Sequence, residues 1–153
     1  MSEYLSGKAL RKLLKGKKVE RASATLPATA AAPIFNIRGG RVALTQIIGE
    51  VTVIIQTQAN LTKLTGNPTV GTAADICATL SITADEVGCL YGITGLETDA
   101  LIGLDAGALP GQTRDVILPP GTLDLDCAAT NTGEVKWTLF YVPIDDGAYV
   151  EAA

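Results

Sequence analysis

The chain has 153 residues, of which 47% are hydrophobic, and a formal net charge of −4 at neutral pH. That length and composition suit one globular domain whose core needs no disulfides or metal ions. The sequence contains no histidine, which excludes catalytic triads that need one and removes the commonest metal ligand. No apolar run approaches the roughly 20 residues that span a bilayer, and the N-terminus lacks the apolar core of a secretory signal, so no membrane partner is expected.

Charge is divided unevenly along the chain. Residues 1–21 carry seven basic side chains against two acidic ones, a net charge of +5. Residues 22–153 carry five basic side chains against fourteen acidic ones, a net charge of −9. A basic arm on an acidic body indicates that the arm meets another acidic surface.

The basic arm has the pattern of a short amphipathic helix. Ser2 is the candidate N-cap, and Leu10, Leu13 and Leu14 recur at helical spacing between basic side chains. Two glycines weaken this helix, so we expect it to be marginal when free and ordered on docking. The residues expected to bind a partner are Lys8, Arg11, Lys12, Leu13, Leu14, Lys15, Lys17 and Lys18.

Docking onto a protein shell, or packing against sister arms in an oligomer, are the favoured interpretations of the arm. A solvated tail is the plain alternative, and an organelle transit peptide has no other support in the sequence. A specific nucleic-acid partner is not expected, because no aromatic residues interleave the basic ones and the acidic body repels phosphate.

A second segment, Ala22–Pro33, separates the arm from the rest. It is small, uncharged and interrupted by two prolines, so a stable helix is excluded and an extended linker or an edge strand is predicted. We therefore expect an arm and linker over residues 1–32 and a β domain over residues 33–153.

The β domain begins with two alternating stretches. The apolar residues of 34–37 precede a Gly39–Gly40 turn, and a long β-branched stretch covers residues 41–60. Gly49–Glu50 is expected to interrupt that stretch as a bulge or bend. The residues expected on one face are Val42, Leu44, Gln46 and Ile48.

Short strands are predicted to follow at the spacing of a sandwich or barrel. The expected segments are 61–66, 74–83 and 87–94, whereas 98–111 is compatible with a short helix or a long loop. The last expected strands are 115–118, 122–128 and 134–142, with a turn at Asn131–Gly133 between the final two. Because long crossover helices are missing, the fold class predicted is all-β, an antiparallel and jelly-roll-like β-sandwich carrying a short basic N-terminal arm, helical or extended.

The polar clusters favour structural roles. Asp124 and Asp126 lie two apart on one strand and are compatible with a shared cation, although a solvated outer face is the plainer interpretation. The segment Arg38–Arg41, with its two central glycines, has no phosphate-loop ending and is interpreted as a turn. We therefore predict no catalytic, cofactor-binding or metal-binding residue.

Three cysteines, Cys77, Cys89 and Cys127, match neither a disulfide framework nor a zinc pattern. Buried, reduced thiols are the expected state. A disulfide between Cys77 and Cys89, or a bond between subunits, is the alternative that sequence leaves open.

The last third of the chain carries a resemblance. Gly121–Thr122, Asn131–Gly133, Lys136–Trp137 and Tyr141–Ala148 follow one another in an order that resembles small structural proteins of tailed bacteriophages. The segments Pro33–Gly40 and Ile48–Thr52 resemble the same group.

The resemblance implies a β-rich virion protein of the capsid-decoration or head-fibre kind, assembled in the host cytoplasm. It implies the major capsid protein or another virion protein as partner, and a homo-oligomer with a trimer favoured. Trp137 and Tyr141, on one face of the clearest strand, are expected at the oligomer interface.

Two other classes of function remain as rivals. A receptor- or glycan-binding module of a tail or fibre needs exposed aromatic rings, with Trp137 or Tyr91 as the candidates. A lyase or hydrolase needs a pair of acids, with Asp124 and Asp126 as the candidates.

Overall fold

The computed structural model describes residues 5–105 and 107–153, and nearly all of its regular structure is β. Helix α1 spans Gly7–Lys15, and the strands are β1 (Lys17–Thr25), β2 (Ala31–Arg38), β3 (Val42–Val53), β4 (Leu61–Pro68), β5 (Ala74–Asp75), β6 (Leu80–Ser81), β7 (Leu90–Gly92), β8 (Ile102–Leu104), β9 (Val116–Leu118), β10 (Gly121–Cys127), β11 (Glu134–Pro143) and β12 (Tyr149–Ala152). No helix in the described ranges is both long enough and apolar enough to cross a membrane.

The strands form two six-stranded sheets. The first has the order β1-β11-β3-β7-β8, with β9 also paired to β3, and the second has the order β12-β2-β10-β4-β5, with β6 also paired to β4. Every pair of strands is antiparallel. The predicted antiparallel β-sandwich is therefore confirmed.

The core lies between the two sheets and takes side chains from both. Strand β11 follows its predicted alternation, because its four inward residues are all buried: Val135, Trp137, Leu139 and Tyr141. The second sheet contributes Phe35, Leu64, Leu123 and Leu125. The three cysteines are buried with free thiols, so the disulfide between Cys77 and Cys89 is not formed.

A bulge at Thr45 reverses the alternation of β3. Gln46 lies opposite Phe140 and Leu44 lies opposite Tyr141, so Thr45 has no counterpart on β11. An unpaired residue shifts every later side chain to the other face. Ile48 accordingly points outward, and the prediction that it shares a face with Leu44 is wrong.

Gly49 does not interrupt β3, which runs unbroken to Val53. It lies directly opposite Trp137 in the ladder, and a Cβ atom at Gly49 would lie 2.7 Å from Cζ3 of the indole. The glycine therefore makes room for a buried aromatic ring and does not bend the strand.

The segment after helix α1 belongs to the first sheet. Strand β1 pairs with β11 at the edge of that sheet, with Val19 opposite Leu139, and Leu26 beyond the strand is buried. Of the two alternatives for Ala22–Pro33, the edge strand is present up to Thr25. Among the helices and strands of the described residues, α1 alone lies outside the two sheets.

Several shorter segments differ from expectation. Residues 74–83 form two separate pairings with β4 instead of one strand. Of the two alternatives for 98–111, the loop is present in the described residues, and it contains the short strand β8. The connection at Asn131–Gly133 carries the chain from the second sheet to the first, so it does not close a hairpin. Strand β12 was not predicted. Its four residues form an edge strand that can be recognised only from its pairing with β2.

Candidate docking site at the N-terminal helix

Helix α1 is fastened to the sandwich at its C-terminal end. The Thr45 hydroxyl, on the bulge of β3, donates to the Lys15 carbonyl at 2.5 Å. The last turn of the helix ends with a hydrogen bond from the Gly16 N–H to the Lys12 carbonyl, at 3.1 Å. The N-cap is Ser6, whose hydroxyl oxygen accepts from the Ala9 N–H at 3.1 Å. The predicted cap, Ser2, lies outside the described residues.

The helix has two opposed faces. At 100° per residue, its four basic side chains lie on one side and its three leucines lie on the other. The basic side is made by Lys8, Arg11, Lys12 and Lys15.

The leucine side of the helix is exposed to solvent. Leu13 and Leu14 each expose 72% of their surface and Leu10 exposes 47%, and no residue of the helix is buried. Surface helices normally turn such a face onto the core, and full burial of one leucine is worth about 1.5–3 kcal/mol. The leucine face of α1 therefore has the composition of a surface that is normally buried, but nothing in the described chain covers it.

The basic side of the helix borders a groove shared with the start of β1. The groove is lined by Lys8, Arg11, Lys12, Gly16, Lys17, Lys18 and Glu20. Lys18 lies 2.8 Å from one Glu20 oxygen and Lys136 lies 4.0 Å from the other. The hydrogen bond from Lys18, together with the charge of Lys136, holds the pKa of Glu20 below its usual value. The groove remains strongly positive, since one acid faces five basic side chains.

The structure thus assembles most of the residues that were predicted to bind a partner. Five of the six basic ones line the groove, Leu13 and Leu14 lie on the opposite side, and Lys15 is half-buried at the base of the helix. Leu10 belongs to the same apolar face but was left out of the predicted set. Its helical spacing from Leu13 and Leu14 was the signal for including it.

The two aromatic residues expected at an oligomer interface lie in the core instead. Trp137 is 1% exposed and Tyr141 is 3% exposed in the single chain. The Trp137 ring stacks on Tyr91, with ring centroids 6.3 Å apart. None of the three rings is available to a second subunit or to a sugar, because the chain's own sheets already cover them.

Asp124 and Asp126 do not form a common site. Asp124 is buried, and its carboxylate accepts from the Thr122 hydroxyl at 2.6 Å and from the Asn67 amide at 3.4 Å. Asp126 lies instead near Lys63, at 3.9 Å. The expected solvated outer face is therefore wrong for Asp124, which neighbouring polar side chains satisfy.

The Arg38–Arg41 segment is a turn, as predicted, and its arginines are engaged within the chain. Arg38 pairs with Glu151 at 2.5 Å, and Arg41 pairs with Asp145 at 2.8 Å. Gly39 has a φ of 77°, which the turn requires. The segment therefore connects β2 of the second sheet to β3 of the first, beside β12.

No family model, no curated protein and no solved structure matches this chain.

Proposed function

We propose that this chain is a non-enzymatic structural component of a tailed-bacteriophage virion, a capsid decoration or head-fibre protein anchored through helix α1. The observation that carries this proposal is the exposed leucine face of a helix whose other face is basic. The resemblance of most of residues 33–153 to phage structural proteins supports a virion as the particle.

The chemistry of the helix defines its partner surface. An amphipathic helix commonly binds by laying its apolar side chains into a hydrophobic groove. For its charge to be complementary, that groove should carry acidic groups along its rim, where they face Lys8, Arg11 and Lys12. The proposed occupant is therefore an apolar, acid-rimmed groove on the major capsid protein or on another virion protein.

A homo-oligomer, with a trimer favoured, is part of the same proposal. We propose that the interface uses the outer face of the first sheet, because Trp137 and Tyr141 on the inner face are already buried within the chain. On that face Val142 and Ile117 lie on either side of Ala43 in the ladder, and both are exposed. Val142 also lies beside Gly16, at the C-terminal end of helix α1.

The docking role is tested by co-sedimentation of the purified protein with capsids of the phage that encodes it. The double variant Leu13→Ser, Leu14→Ser should bind at least about 100-fold more weakly, because two leucines lose about 3 kcal/mol of burial. Val70→Ser, at an apolar residue that is even more exposed, in the turn after β4, is the control. Wild-type occupancy of capsids by the double variant would contradict the proposal.

A further inference from the structure

Three side chains with metal-binding atoms meet at one end of the first sheet. Asp85 lies in the loop between β6 and β7, Cys89 immediately precedes β7, and Asp105 immediately follows β8. Because Leu90 of β7 pairs with Leu104 of β8, the residues flanking that pair are brought side by side. The Cys89 sulfur and one carboxylate oxygen from each aspartate all lie within 4.8 Å of one another.

The loop that carries two of these groups is held in place by the main chain. The Asp85 carbonyl accepts from the Ile55 N–H at 3.0 Å, and the Cys89 carbonyl accepts from the Val51 N–H at 3.0 Å. The Tyr91 hydroxyl donates to the Asp85 carboxylate at 2.5 Å, which fixes the orientation of that carboxylate. Such an outer hydrogen bond is the usual support of a metal-ligating side chain.

The three cysteines have different hydrogen-bond partners. The Cys77 sulfur accepts from the Leu64 N–H at 3.3 Å, and the Cys127 sulfur accepts from the Thr62 hydroxyl at 3.7 Å. Cys89 is 1% exposed and its sulfur faces the two carboxylates. The Cys89 thiol donates to the Asp105 carboxylate, and its sulfur accepts from the Leu104 N–H.

No basic side chain of the described ranges forms an ion pair with Asp85 or Asp105. Only Asp85 is half-buried, and a partly desolvated carboxylate beside a buried thiol is costly without a compensating cation. The Asp105 side of the cluster is exposed, which leaves an entry path from solvent.

We propose that Asp85, Cys89 and Asp105 bind a thiophilic divalent cation such as Zn²⁺. Zinc takes sulfur at about 2.3 Å and carboxylate oxygen at about 2.0–2.2 Å, so its tetrahedral ligands lie roughly 3.3–3.8 Å apart. The Cys89 sulfur and the two carboxylate oxygens, which lie within 4.8 Å of one another, would have to approach by about 1 Å to reach that separation. A water molecule would take the fourth position. Mg²⁺ and Ca²⁺ fit poorly, because they prefer all-oxygen sites.

The bound ion has a structural role in this arrangement. It ties the loop at Asp85 to the start of β7 and the end of β8, at a point where the first sheet has only three-residue strands. Binding releases the thiol proton to solvent, since the thiolate is the ligand. The site goes beyond the docking function and does not depend on it.

The site is tested by titrating the metal-free protein with Zn²⁺ and, separately, with Co²⁺, whose thiolate complexes absorb in the near ultraviolet. The wild type should bind one Zn²⁺ per chain and show the cobalt–thiolate band, with a higher Tm when Zn²⁺ is present. Mg²⁺ at the same concentration should leave the Tm unchanged.

Two variants, each with a matched control, make the outcome specific. Asp105→Asn, at an exposed residue, should keep the metal-free Tm and weaken Zn²⁺ binding at least about tenfold, whereas Asp115→Asn, at an exposed aspartate before β9, should bind as the wild type does. Cys89→Ser should lose the cobalt–thiolate band, and Cys77→Ser should keep it. A wild-type spectrum without that band, or wild-type zinc affinity in Asp105→Asn, would overturn the proposal.

Discussion

At the scale of single residues, Gly16 is the joint between helix α1 and strand β1. Its φ is 92°, and a Cβ atom there would lie 2.1 Å from the Tyr141 carbonyl oxygen. Gly16→Ala should therefore lower the free energy of unfolding by about 1–3 kcal/mol, since both strain and displacement of the chain are imposed. Urea denaturation measures the change.

Gly7 offers the matched control for that substitution. It lies in the first turn of the same helix, and an added Cβ would meet nothing within 4 Å. Gly7→Ala should leave the stability unchanged or raise it by at most about 1 kcal/mol. Equal effects of the two alanines would show that Gly16 has no special role.

The ion pair between Arg41 and Asp145 makes stability depend on pH in the acid range. The Arg41 main-chain N–H and its guanidinium both donate to the Asp145 carboxylate, at 2.8–2.9 Å. These hydrogen bonds lower the pKa of Asp145 to about 2, below the usual value of about 3.9. The stabilisation is therefore fully present above about pH 4 and is lost as the pH falls towards 2.

The difference in Tm between the wild type and Asp145→Asn should accordingly be constant from pH 7 to about 4 and should vanish near pH 2. Asp146→Asn alters the neighbouring acid, which takes no part in the pairing with Arg41, and serves as the control. A gap between wild type and Asp145→Asn that is the same at pH 2 and pH 7 would contradict this account.

Among the strands, the alternation of apolar and polar residues correctly predicted the features that depend on local sequence alone. Strand β11 was predicted with its inward face because its apolar residues alternate without interruption. The reversal in β3 was missed, because the bulge at Thr45 is defined by pairing with β11 and by the hydrogen bond to helix α1. Neither partner is visible in the local pattern of β3.

The boundary between helix α1 and strand β1 predicts the effect of truncation. Removal of residues 1–15 should lower the stability of the sandwich by no more than about 1 kcal/mol, because no residue of the helix is buried and the main loss is the hydrogen bond from the Thr45 hydroxyl to the Lys15 carbonyl. Removal of residues 1–26 should cost at least about 3 kcal/mol, because the β1–β11 ladder and the burial of Leu26 are both lost. Urea denaturation of the two truncated chains compares them, and equal stabilities would contradict the role of β1 as part of the sheet.

The basic face of the helix predicts a salt-dependent contribution to docking. Lys12→Glu should weaken capsid binding by about three- to tenfold at low salt, and the difference should shrink at about 1 M salt, where charges are screened within about 3 Å. Arg114→Glu changes the net charge equally at an exposed residue outside the groove and should bind as the wild type does. An equal loss in both variants would show a general charge effect instead of a contact.

At the scale of the whole molecule, composition and strand spacing predicted the class of fold but not its connections. Trp137 and Tyr141 were assigned to an interface because alternation identifies a shared face without saying what covers it. The cluster of Asp85, Cys89 and Asp105 has no local motif, since only the register of β7 against β8 brings its members together. The leucine face of α1, by contrast, follows directly from helical spacing.

The proposed docking of helix α1 onto a virion shell can be examined in an electron-microscopy map of the intact particle of the encoding phage. We predict density for the sandwich on the head, with Leu10, Leu13 and Leu14 covered by a shell protein whose acidic side chains face the basic side of the helix. A particle that lacks the chain, or one that carries it with the leucine face of α1 open to solvent, would contradict the claim.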